Sequence, residues 1–148
     1  MDTPPKDASL IRFDFPVEHE LPTAAPPGLA DALGVTPLYV GKNRFDYLVE
    51  IESEEILRGL KPDWALLTKV PCRGVIVTSR ADSQAYEFVS RFFAPRSGVL
   101  ENPVTGSSHC SLGPFWKTRL SKDEFVAYQA SARGGVMRVR LGGGRVYH

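Results

Sequence analysis

The sequence has no hydrophobic run long enough to cross a bilayer: its wholly apolar stretches are only a few residues long. A spanning helix needs about 20 such residues, so none is expected. Charge of one sign is missing too. Eighteen Lys and Arg stand against 17 Asp and Glu, interleaved along the chain for a net +1, which leaves no basic stripe. Nucleic acid and anionic membrane are therefore not expected as partners. Cysteine is scarce, with only Cys72 and Cys110, far apart and without Cys-x-x-Cys or Cys/His ligand spacing. No zinc site is expected, and both read as reduced thiols, buried and inert. The stretch Met1 to Ser9 is polar and lacks the apolar core of a signal peptide, so a cytoplasmic chain is the expectation. Repeats, low-complexity segments and shifts in composition are also lacking, which leaves no mark of a second domain.

What is present suffices for a packed core: 43% apolar residues against 24% charged in 148 residues. In "SLIRFDFPV", Ile11, Phe13 and Phe15 alternate with Arg12 and Asp14, the period of a half-buried strand that Pro16 stops. "AAPPGLADALG" reads as a short helix opened by proline and closed by Gly34. "PLYVGKNRFDYLVEIES" holds two β-rich runs around Gly41-Lys42-Asn43, a hairpin with Tyr47, Val49 and Ile51 on one face. Ser53 followed by Glu54 and Glu55 predicts an N-capped helix to about Leu60, ended by Pro62. "DWALLTKV" predicts a further helical turn. "RGVIVTS" predicts a centrally buried strand. "YEFVSRFFAP" predicts a strand too, with Tyr86, Phe88 and Phe92 in period. "EFVAYQAS", "GGVMRVRL" and "GRVYH" supply three more β segments. The fold class read from this order is α+β.

The stretch "GVLENPVTGSSHCSLGPFW" carries the chemistry. Pro103 ends the preceding strand and holds Asn102 extended, and Thr105, Gly106 and Ser107 then offer hydroxyls and a permissive backbone just before an apolar helix. The first amides of a helix lack internal acceptors and sit at its positive end, which outlines a pocket for a small anion. A plain helix cap by Thr105 or Ser107 accounts for the same residues. Gly113-Pro114 should kink this helix, and Cys110, Leu112, Phe115 and Trp116 cover more than one side. It is expected to be enclosed by strands.

The stretches "RFFAP", "ENPVTGSSHCSLGPFW", "YQASARGGVMRVRL" and "GRVY", with "IRFDFPVE", "PPGLADALG" and "LKPDWALL" followed by "RGVIVTS" upstream, occur in order. Together they resemble the C-terminal half of the phenazine-biosynthesis PhzF-like family, in the diaminopimelate-epimerase-like superfamily. The resemblance covers residues 10–148 as one lobe, with residues 1–9 a polar extension. It implies a curved mixed sheet rolled around a central helix, paired in the family with a similar N-terminal lobe that is absent here, and an active site between the two. It also implies isomerase chemistry on a small carboxylated metabolite, by proton transfer on a carboxylate, with neither metal nor organic cofactor. Asn102, Thr105, Gly106 and Ser107 would be substrate-binding residues, contacting a substrate carboxylate through main-chain amides and the serine hydroxyl.

Asn102 stands where the family has aspartate, and an amide cannot take up a proton near neutral pH. No counterpart of the half that bears the family's principal catalytic glutamate is present. The resemblance therefore implies impaired or partner-dependent activity, the partner being a second copy or a separate N-terminal half. A non-catalytic anion-binding module and a truncated family remnant are the alternatives. Two local residues are candidates for catalysis. Glu101 adjoins the turn but should face away from Asn102 in an extended segment. His109 lies at the positive end of the helix, which favours the neutral imidazole, and as a lone histidine beside Cys110 reads as packed and hydrogen-bonded. A His109/Cys110 nucleophilic pair is excluded because adjacent helical residues diverge by about 100°. Arg91, Arg96 and Arg133 could reach a carboxylate, and nothing in the sequence selects among them.

Overall fold

The structure, a computed structural model, describes residues 14–102, 108–131, 134–142 and 145–147. In chain order these form β1 (Asp14–Pro16), β2 (Leu21–Pro22), α1 (Leu29–Leu33), β3 (Tyr39–Lys42), β4 (Asp46–Glu50), α2 (Glu54–Arg58) and α3 (Trp64–Thr68). Beyond α3 come β5 (Gly74–Arg80), β6 (Phe88–Ala94), a 3-10 turn, β7 (Val99–Asn102), α4 (His109–Leu120), β8 (Glu124–Gln129), β9 (Gly135–Gly142) and β10 (Arg145–Tyr147). The residues Ile11 and Phe13 of the first expected strand lie outside the described residues.

Local chemistry sets most of these boundaries. Asn43 makes the hairpin: its Oδ1 accepts from the amides of Phe45 (2.8 Å) and Asp46 (2.7 Å), turning β3 into β4. Ser53 Oγ accepts from Ile56 N at the head of α2, and Asp63 Oδ1 does the same for Leu66 N at the head of α3. α1 is shorter than expected. Gly28 at φ 85° and Gly34 at φ 74° bracket it, so the prolines precede the helix instead of opening it. Tyr86 falls before β6 and packs its ring, tilted by 30°, against Tyr128 at 5.1 Å.

One mixed sheet runs β1-β10-β9-β8-β6-β5-β4-β3-β2, with β7 added on β6. The pairs β4–β5 and β6–β8 are parallel and the rest antiparallel. Because side chains alternate along each strand, the sheet has two apolar faces. The outer face carries Tyr47, Val49, Val75, Val77 and Phe93 beneath α1, α2 and α3. The inner face carries Leu48, Ile76, Phe88 and Phe92 and curves around α4, whose Leu112, Phe115 and Trp116 are buried against it. This is the α+β lobe with a central helix that the sequence predicts.

α4 runs unbroken through Gly113 and Pro114. Proline has no N–H to give the carbonyl four residues earlier. That carbonyl, Cys110 O, accepts from Glu18 N at 2.9 Å. The lost helical bond is thus replaced from outside, and the segment between β1 and β2 is tied across the helix head. Midway along α4, Trp116 stacks on Phe88 (5.5 Å, 11°) and its indole N–H donates to Thr78 Oγ1 at 3.0 Å. His109, Cys110, Ser111, Leu112, Gly113, Phe115 and Trp116 are all buried, so the helix is enclosed over its first two turns.

Candidate functional site

The residues packed around the head of α4 come from several separate segments. Helical bonding begins at Ser111 and Leu112, whose amides both donate to Ser108 O (3.2 and 3.1 Å). The amides before them have no acceptor within α4. Ser108 has α-helical dihedrals and makes no side-chain cap bond. Thr105, Gly106 and Ser107 lie outside the described residues. Asn102 is placed by its backbone: it ends β7 opposite Phe92, an inner-face residue of β6. The segment 103–107 therefore joins the inner-face end of β7 to the first turn of α4.

Glu101 goes the other way. It lies opposite outer-face Phe93, and its carboxylate takes a two-pronged ion pair from Arg91, Nε to Oε2 and NH2 to Oε1, both 2.8 Å. The remaining guanidinium nitrogen donates to Leu57 O (3.0 Å) and Leu60 O (2.9 Å) at the end of α2. The opposite orientation of neighbouring strand residues expected for Glu101 is what the register gives. His109 is fully buried, with Ser108 Oγ 3.3 Å from its Nδ1 and its ring centroid 6.0 Å from that of Phe88. It is packed in the core of the lobe. Cys110 faces Glu18 and Arg73, and burial first, with Glu18 adding to it, pushes its thiol up to about 11. Burial also raises the Cys72 thiol. Neither has the lowered pKa of a nucleophile.

Sequence reasoning missed three features of this helix head. Arg73 precedes β5 and donates through Nε (3.0 Å) and NH2 (2.6 Å) to Asp46, whose carboxylate is buried at the start of β4. Its guanidinium lies over Phe45 (5.1 Å) and Phe92 (5.7 Å), and close enough to Cys110 to act on that thiol electrostatically. A partly exposed cation is thereby fixed between the strand that carries Asn102's partner and the first turn of α4. Asn43, read only as a turn residue, also donates Nδ2 to Ser111 Oγ at 2.6 Å. Ser111 in turn donates to Glu18 O. Glu18 itself is held by Arg44 at 2.7 Å. None of these pairings is adjacent in sequence, so no local pattern could have announced them. Arg96 donates to Val70 O at 3.4 Å, and Arg133 lies outside the described residues.

Among the described residues no three His, Cys, Asp or Glu side chains stand together as a metal site, and no helix is long and apolar enough to cross a membrane.

A family model described as phenazine biosynthesis-like protein matches residues 23–147. An uncharacterized isomerase of Halalkalibacterium halodurans is 51% identical over 146 residues, covering 98% of this chain and 55% of that protein. An uncharacterized isomerase of Pseudomonas aeruginosa is 49% identical over 141 residues, covering 95% and 53%. Among solved structures, a phenazine biosynthesis protein of the PhzF family from Enterococcus faecalis superposes with a TM-score of 0.87 at 34% identity, over 92% of this chain and 52% of that one. The chain thus spans about half the length of the relatives it matches. With the sheet wrapped on a central helix, and identity sustained along nearly the whole chain, it belongs to the phenazine biosynthesis-like PhzF family.

Proposed function

We propose that this lobe supplies the anion-binding half of an isomerase site, in which a small carboxylated metabolite is held at the head of α4 while a proton is moved without cofactor. The relatives named as isomerases support the reaction class. The carrying observation is the placement of the residues on either side of 103–107, Asn102 opposite inner-face Phe92 and Ser108 at the α4 head, with Arg73 held over the Phe92 ring. A carboxylate there would meet the positive end of the helix and a guanidinium. Gly106 and Ser107 are the binding residues of this reading, with Thr105 and Asn102 beside them.

The base comes from a second lobe, either another copy of this chain or an N-terminal half. The described carboxylates around the turn and the helix head are already engaged: Glu101 with Arg91, Asp46 with Arg73 and Glu18 with Arg44. Asn102, an amide, cannot take up the proton. General acid/base catalysis contributes about 10²–10⁴-fold, so the lobe by itself should bind far better than it turns over.

Two measurements test this. Titration with succinate should shift the amide signals of Gly106 and Ser107; their indifference at millimolar succinate would remove the binding claim. Solvent deuterium should enter amino-acid-like substrates only when a second lobe is supplied or when sedimentation shows self-association. Equal exchange by a strictly monomeric chain would refute the need for a partner.

A further inference from the structure

The register of β7 against β6 is irregular. Phe93 pairs with Glu101 while Ala94 pairs with Val99, so Leu100 is an extra residue bulged from the ladder, half exposed to solvent. Were the bulge ironed out with Ala94 still on Val99, Leu100 would lie opposite buried Phe93 and Glu101 opposite Phe92. Asn102 would then move past the inner-face position. A one-residue slip exchanges the faces of every residue downstream in the strand, and β7 leads directly into residues 103–107. Burial of Leu100 favours the regular register; something specific must favour the bulged one.

We propose that the Arg91–Glu101 ion pair is a register lock, Arg91 and Glu101 acting as positioning residues that keep Asn102 and the turn at the α4 head; its effect on ligand binding rests on the function proposed above. Arg91 is a fixed peg. Its guanidinium is held by Leu57 O and Leu60 O at the end of α2 and lies over the Phe93 ring at 4.8 Å, with only 11% of the side chain exposed. The fork accepts a carboxylate in one geometry, at 2.8 Å to both oxygens, and Glu101 meets it only when Leu100 is bulged. In the regular register the same carboxylate would face Phe92 and the apolar inner layer, and Arg91 would lose its partner.

The test separates register from stability. In Glu101→Leu the lock is gone and both registers are apolar-compatible. Cross-strand NMR contacts should then report a Phe93–Leu100 pair alongside the native Phe92–Asn102 pair, and succinate affinity should fall at least about tenfold as the competent register drops to a tenth of molecules. Deleting Leu100 from that variant leaves only one way to pair Ala94 with Val99 and Phe92 with Asn102. It should restore a single register and affinity within about threefold of the original, although no ion pair has returned. A purely stabilising salt bridge would not be rescued by a deletion. Should Glu101→Leu fail to fold, Glu101→Gln keeps the size and the Arg91 contacts to α2 and should show the second set of β7 signals at lower population. The proposal is overturned if either variant keeps one native register, whatever its affinity, or if the deletion leaves binding unrestored in a chain whose unmodified form binds succinate. If the unmodified chain ignores succinate while Glu101→Leu shifts register, the lock stands and the anion-binding reading falls.

Discussion

The amide of Glu18 donates to the carbonyl of Cys110 at 2.9 Å, and that carbonyl is available because Pro114, one helical turn on, has no N–H to offer it. A gap in the helix ladder has become the anchor for the strand-to-strand crossing that lies over the α4 head. Ser111 completes the anchor by joining Asn43 Nδ2 to Glu18 O.

Ser111→Ala leaves two part-buried polar groups, Asn43 Nδ2 and Glu18 O, without their partner. It should lower stability by about 1–3 kcal/mol, read as a urea midpoint shift, and should speed hydrogen exchange at Glu18 more than at Trp116. Uniform acceleration across the lobe would mean that Ser111 anchors nothing in particular.

Thr78 Oγ1 accepts from the indole of Trp116 and donates to Val89 O at 2.7 Å, both within the buried layer. Thr78→Val keeps the shape and removes both bonds. The expected cost is about 1–3 kcal/mol with a changed Trp116 emission maximum. An unaltered emission spectrum would contradict the assignment of that bond.

Gly74 faces its neighbours too closely for a side chain: a Cβ there would stand 2.5 Å from Phe92 Cζ and 2.9 Å from Phe93 O. Gly74→Ala should destabilise the lobe by about 1–3 kcal/mol through forced repacking. Because Phe92 sits under Arg73 and opposite Asn102, succinate binding should weaken as well. A stable variant with unchanged binding would show that Phe92 has room to move.

Cys110 sets an alkaline limit. Burial pushes its thiol up from an ordinary value of about 9 to about 11 in the folded chain, so between those values the unfolded state has released a proton that the folded state keeps. The group's contribution is full below the lower value and is lost as pH rises toward the upper one. The urea midpoint of the original chain should fall more steeply over that window than that of Cys110→Ala. Parallel pH profiles would rule out this thiol as the cause.

Much of the fold was legible in the sequence because its signals are local. Ser53 and Asp63 cap their helices as hydroxyl and carboxylate caps do, Asn43 turns the hairpin, and the alternation of Tyr47, Val49 and Ile51 fixes one face of β4. The errors were local as well. Gly28, left-handed at φ 85°, starts α1 later than the prolines suggested. Of the candidate site, the order of motifs identified the family and pointed to the turn after Asn102, and periodicity alone turned Glu101 away from it.

Tertiary structure decided the rest, for a physical reason. Arg73 and Asp46, Arg91 and Glu101, and Asn43 and Ser111 meet only once the sheet has curved around α4 and stacked α2 on its outer face. Propensity and period depend on neighbours along the chain, so the sequence carries them openly. Which arginine finds which carboxylate, and in which register a bulged strand settles, depends on the closing of distant segments onto one another, where the gain of a paired charge is weighed against an apolar side chain left in water.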